Sequence, residues 1–102
     1  MELDIKKDSI RAEVCFCGNM YVEDAPSVRE KLTDLLDDGV TLLVLDLSGL
    51  EYVDSSGLGV LISIHKRCIQ KGGKMIVTGL RGMVDDLFKL TRLGLVFNIE
   101  QQ

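Results

Sequence analysis

Apolar residues along this chain recur with two different periods, and the changes between them mark out its elements. Ile10, Ala12, Val14 and Phe16 alternate with Arg11, Glu13, Cys15 and Cys17. A period of two is that of a half-buried strand. This strand is expected over about 10–17, ended by Gly18-Asn19 and preceded by a strand over about 2–7 and a turn at Asp8-Ser9. The period then lengthens. Val28, Leu32, Leu35 and Leu36 form a helical stripe over about 25–38. Asp24 is placed to cap it, Pro26 lies in the first turn, where a missing N–H costs nothing, and Gly39 suits a left-handed C-cap. Leu42-Leu43-Val44-Leu45, followed by Asp46-Leu47, is apolar on both faces, the signature of a central, largely parallel strand. Leu58, Leu61, Ile62, His65 and Ile69 predict a second helix over about 56–70, stopped by Gly72-Gly73. Met75–Thr78 reads as a strand, Met83, Leu87 and Leu90 as a short helix over 82–91, and Leu95–Ile99 as a last strand. The order β-β-α-β-α-β-α-β predicts the α/β class: a mixed, mostly parallel sheet with right-handed crossovers and helices packed on it.

Composition narrows this picture. A chain of 102 residues, 46% of them hydrophobic, is expected to form one domain over 1–102 with a core that needs neither disulfide nor metal. Its 16 acidic and 12 basic residues leave a net charge of -4, which argues against nucleic acid as a partner because phosphate-backbone readers carry a basic stripe. Three cysteines, an odd number, behind a start (MELDIKKDSI) with no apolar signal region predict a reduced, cytoplasmic chain. Asp, Ser or Gly interrupts every apolar run too early for a membrane span.

Candidate chemistry concentrates in Tyr52-Val53-Asp54-Ser55-Ser56-Gly57-Leu58-Gly59, which joins the central strand to the second helix. Ligand and partner sites of open α/β sheets lie beyond the carboxyl ends of parallel strands. A helix N-terminus carries about half a positive charge and open amides, so a phosphate is tolerated there. Phosphorylation would add about 1.5 to 2 negative charges to any surface docked nearby. Gly57 and Gly59 would let another backbone approach, and Asp54 could orient a hydroxyl. The same residues are equally explained as a helix cap with a tightened turn, since Ser and Asp lead the cap preferences. Neither G-x-S-x-G nor a phosphate-cradling G-K-[ST] loop is present.

The run from Val44 to Leu61, with D-S-S-G-L-G at 54–59, resembles the core signature of the STAS-domain anti-sigma factor antagonists of bacteria. Gly72-Gly73-Lys74-Met75, Val84–Leu90 with Leu93-Gly94-Leu95, and Asp24–Leu32 are similar to the same family. The resemblance implies a non-enzymatic, cytoplasmic switch that needs no cofactor. Unphosphorylated, it would bind an anti-sigma factor that is itself a GHKL-type serine kinase, freeing a sigma factor. The kinase would then spend its own ATP to phosphorylate Ser56, or as the alternative Ser55, supported by Asp54, Gly57 and Gly59. A PP2C-type phosphatase would restore the active form. Tyr21, Asp24, Ser55, Leu58, Val60 and Ser63 would face the partner, Val60 and Ser63 because they lie off the main apolar stripe.

Two features depart from the family pattern. Gly18-Asn19-Met20-Tyr21 stands where the family usually reads G-E-[LI]-D, so Tyr21 replaces an acidic residue, with Asp24 a partial substitute. The family also commonly continues into a further helix, whereas this sequence stops at Gln102, so an apolar face is expected there if such a helix is missing. The first departure motivates an alternative function, a STAS adaptor or scaffold subunit in a sensory assembly or lipid transporter that does not act on sigma factors. Cys15, Cys17, His65 and Cys68 could in arithmetic hold zinc, but buried inert thiols are the default, and no metal is expected. His65 lies about 13 Å along the helix axis from Ser56, too far for a general base. Lys66, Arg67, Lys71, Arg81 and Arg92 read as solvated charges, and Asp34, Asp37 and Asp38 as a solvated acidic helix end.

Overall fold

The structure, a computed structural model, describes residues 1–100. Strand β1 (Glu2–Asp8) turns through Ser9 and Ile10 into β2 (Arg11–Met20). A 3-10 turn at Val22–Asp24 leads into α1 (Ala25–Asp37), followed by β3 (Leu42–Val53), α2 (Ser55–Gln70), β4 (Lys74–Thr78), α3 (Gly82–Leu90) and β5 (Asn98–Glu100). The sheet runs in sequence order, β1-β2-β3-β4-β5. Only the β1–β2 pair is antiparallel, as a hairpin allows; the others are parallel and each needs a crossover. The expected α/β architecture is the one observed.

Ala12, Val14 and Phe16 of β2, Leu43, Leu45 and Leu47 of β3, and Met75 and Val77 of β4 put one face of the sheet into the core. Against it pack Val28, Leu32 and Leu36 of α1, Leu61 and Ile64 of α2, and Val84 and Phe88 of α3. The opposite face carries Glu13, Cys15 and Asp46, all half-buried. The alternation in β2 dictates this division, since a one-residue slip would bring Glu13 and Cys15 into the core.

Several boundaries depart from the sequence expectation. Strand β2 does not stop at Gly18-Asn19 but reaches Met20, crossing two register shifts, between Cys15 and Cys17 and between Gly18 and Asn19. Ile10 is exposed because it sits in the hairpin turn. On α2 the buried line runs through Ile64 and Cys68, and Ile69 faces solvent. On α3 the buried residues are Val84 and Phe88, with Leu87 half-buried, whereas Met83 and Leu90 are exposed. Both stripes satisfy a three-and-four spacing, and the aromatic pair Phe88–Phe97, with ring centroids 5.8 Å apart, decides which one turns inward. The final strand begins later than Leu95. Arg92, in the left-handed region at φ 58°, opens a 3-10 turn at Leu93–Leu95, which leaves Leu95 and Val96 exposed.

The paired aspartates at the end of α1 oppose the helix dipole. Cations offset them: Lys71 Nζ lies 3.2 Å and Arg67 3.7 Å from Asp37, and Lys7 lies 3.2 Å from Asp38. These exposed pairs contribute little each, and Arg67 and Lys71 stay at the surface while making them.

Candidate functional site

Strand β3 runs to Val53, so the expected loop contracts to one residue, Asp54, between strand and helix. Asp54 is extended and caps α2, its Oδ1 accepting from the Gly57 amide at 3.0 Å. Its carbonyl accepts from Leu58 N at 3.0 Å, and its own amide donates to Met20 O at 3.4 Å. Of the donors that a helix start leaves open, the Ser55 and Ser56 amides have no protein acceptor among the described residues. The Ser55 side chain is exposed and that of Ser56 half-buried, so both hydroxyls reach the surface at the positive end of α2.

The two glycines have different roles. A Cβ on Gly57 would lie 2.6 Å from Val53 Cγ2 and 3.0 Å from Met20 Sδ. Gly57 is therefore required by packing beneath the helix, and not, as expected, by an approaching partner. Gly59 is exposed, and a Cβ there meets nothing within 4 Å. It keeps the outer face of the first turn bare.

Ser56 opens onto a groove of about 730 Å³ between α1 and α2. Val22, Ala25, Pro26 and Arg29 line one wall, with Ser56 and Val60 opposite. Arg29 Nη1 of α1 donates to Ser63 Oγ of α2 at 3.1 Å. Tyr21, next in the chain to the groove-lining Val22, is 46% exposed and stands against Tyr52, with ring centroids 5.4 Å apart. Asp24 does not cap α1. Its Oδ2 accepts from the Tyr21 amide at 2.8 Å, which fixes the 3-10 turn one step earlier.

Two expected partner-facing residues are corrected. Leu58 is 9% and Val60 only 2% exposed. Val60 lies off the stripe that faces the sheet, but α1 covers that side of α2, so being off-stripe does not make it a free surface. Tyr21, Ser55 and Ser63 do reach solvent in whole or part. Sequence reasoning did not single out Val22, Pro26 or Arg29 for the site, and it named Tyr52 only as the first residue of the candidate segment. Pro26, Arg29 and Thr33 recur at spacings of three and four, beside the core stripe of α1, and that second stripe was the available signal.

The remaining reactive groups lie elsewhere. His65 is 6% exposed, edge-on to Phe97 at 5.4 Å, and its Nδ1 has no hydrogen-bond partner among the described residues. Cys68 is buried, and burial pushes its thiol pKa up. The Cys15 thiol, with one proton to donate, lies 3.9 Å from both Glu13 Oε1 and Asp46 Oδ2. Burial raises its thiol pKa, and the carboxylates of Asp46, Glu13 and Asp4 raise it further. Among the described residues these three, Glu13, Cys15 and Asp46, are the metal-ligating side chains that gather; Cys15, Cys17, His65 and Cys68 do not. No helix of the described residues is long and apolar enough to cross a membrane.

The fold, a hairpin-led parallel sheet with a capped serine pair at the start of α2, defines a class. The sequence profile of the STAS domain matches residues 6–102, and the chain belongs to the STAS domain family. It is 31% identical over 99 residues to an anti-sigma-B factor antagonist of Bacillus subtilis (strain 168), covering 97% of this chain and 90% of that one. Among solved structures it is similar to a candidate anti-sigma factor antagonist from Thermotoga maritima, with TM-score 0.89 and 24% identity over 98% of this chain and 86% of that one. It is also similar to the anti-sigma factor antagonist SpoIIAA in its unphosphorylated form, with TM-score 0.80 and 16% identity over 99% and 89% of the two chains. SpoIIAA in its phosphorylated form gives the same TM-score and identity.

Proposed function

We propose that this protein is an anti-sigma factor antagonist. In its unphosphorylated form it binds an anti-sigma factor and so releases a sigma factor; phosphorylation of Ser56 switches it off. The observation that carries this reading is the accessible serine pair at the Asp54-capped start of α2, in a chain whose relatives are named for the same activity. The partner is a serine kinase of the GHKL type. It transfers the γ-phosphoryl group of its ATP to Ser56 Oγ, and the displaced hydroxyl proton passes to a base on the kinase. A PP2C-type phosphatase hydrolyses the ester and regenerates the hydroxyl.

The arrangement favours a substrate over a catalyst. A nucleophilic serine needs a base within hydrogen-bond reach. His65 is buried against Phe97, about 13 Å of axial rise from Ser56. Asp54 Oδ1 is committed to its cap, which holds the helix start rigid for an incoming kinase. Tyr21, Val22 and Tyr52 form the apolar rim onto which a partner docks, with Ser55, Asp24 and Ser63 at its polar margin. Interface centres favour such aromatics.

Incubation with the cognate kinase and ATP is expected to raise the mass by one phosphate. Ser56→Ala should abolish the gain and Ser55→Ala should keep it; persistence of the gain in Ser56→Ala counts against the assignment. Tyr21, standing where the family usually has an acidic residue and packed against Tyr52, favours a second reading as an adaptor or scaffold subunit that does not act on sigma factors. A pulldown from the native host separates the two: a transporter ATPase without a histidine-kinase-like ATPase supports the adaptor.

A further inference from the structure

We propose that the α1–α2 groove is an intramolecular phosphate receptor, in which Arg29 leaves Ser63 and closes on the phosphate once Ser56 carries one. This inference rests on reading Ser56 as the phosphoacceptor. Ser56 and Arg29 line the same cavity of about 730 Å³, so a phosphoryl group on Ser56 enters space that Arg29 already borders. Arg29 is a cation with no carboxylate partner among the described residues; its side-chain bond is to the neutral Ser63 hydroxyl at 3.1 Å. Exchanging that bond for a doubly charged, bidentate acceptor is favourable, because charge-assisted bonds are roughly twice as strong as neutral ones. Ser63 lies seven residues beyond Ser56, about 10 Å along the axis. Growth of the phosphoryl group into the groove and rotation of the arginine side chain share that span.

The surrounding charges select Arg29 for this role. Arg67, at the far end of the same groove, is already 3.7 Å from Asp37. Glu30 and Asp34 of α1 border the cavity and repel a phosphate, as do Asp54 at the cap and Glu23 and Asp24 in the 3-10 turn. The open Ser55 and Ser56 amides supply donors from the helix start. The closed latch would place the protein's own salt bridge in the part of the groove beside Ser56, so partner release would follow from occupancy of that part as well as from charge. It would also hold the phosphate in its dianionic form.

The test installs phosphoserine at position 56 during translation of the full chain, so no kinase is needed. Phosphate titration is followed by 31P NMR in the native phosphoprotein and in its Arg29→Gln and Arg67→Gln variants. The native midpoint is expected about half a pH unit or more below that of Arg29→Gln, at least a threefold change in proton affinity. Arg67→Gln should titrate with the native protein, and the Arg29 Nε–H resonance should shift on phosphorylation. Equal midpoints in the native and Arg29→Gln phosphoproteins, with an unmoved Arg29 resonance, overturn the latch. Failure of a kinase to modify Ser56 would instead remove the switch reading and leave this measurement intact.

Discussion

Asp54, Ser55, Ser56 and Gly57 divide the work at the start of α2. Asp54 satisfies one amide, the two serines present hydroxyls beside two amides that have no protein acceptor among the described residues, and Gly57 lets the helix sit down on Val53 and Met20. This division makes opposite predictions for the two glycines. Gly57→Ala must push Val53 or Met20 aside, and overpacking of this kind costs roughly 1–3 kcal/mol. Gly59→Ala adds a methyl group to open space on a helix and should stabilise by up to about 1 kcal/mol. Urea unfolding of both variants checks the pair, and a Gly57→Ala protein as stable as the native one would contradict the packing role. Sequence alone could place all four residues but could not tell which glycine faces inward, because the period of α2 fixes a stripe and not the depth of its neighbours. Val60 was misjudged for the same reason.

At the scale of elements, the succession and type of strands and helices were legible throughout, because the period changes sharply at Gly39, Gly72-Gly73 and the D-S-S-G turn. What was not legible was settled by contacts between elements. Phe97 chose the inward face of α3, α1 covered Val60, and the left-handed Arg92 delayed β5. Cys68 of α2 offers a measurable consequence of this packing. Burial raises its thiol pKa in the folded state, so between the ordinary thiol value, about 8.5, and the raised folded value the unfolded chain releases its proton first. Its contribution to stability is therefore complete below about pH 8.5 and is lost as the pH climbs through the folded value. Cys15, raised in the same direction, loses stability over the same kind of window. Denaturant unfolding from pH 7 to 10 should show declining stability, with a shallower decline in Cys68→Ala; equal slopes would contradict a buried neutral thiol.

For the whole molecule, the sheet serves to hold α1 and α2 side by side with the start of α2 at their open end. The molecule carries a net charge of -4, and a single phosphate deepens this by about 1.5 to 2 units at the one place where helix, groove and aromatic rim meet. A charge of this size buried in a docked interface without a counter-charge costs several kcal/mol. The most direct test of the switch is calorimetric titration of the cognate anti-sigma factor with the unphosphorylated protein and with the protein phosphorylated at Ser56. The expected result is at least about a 100-fold weaker affinity for the phosphorylated form, equivalent to about 2.7 kcal/mol. Equal affinity for the two forms would contradict the account.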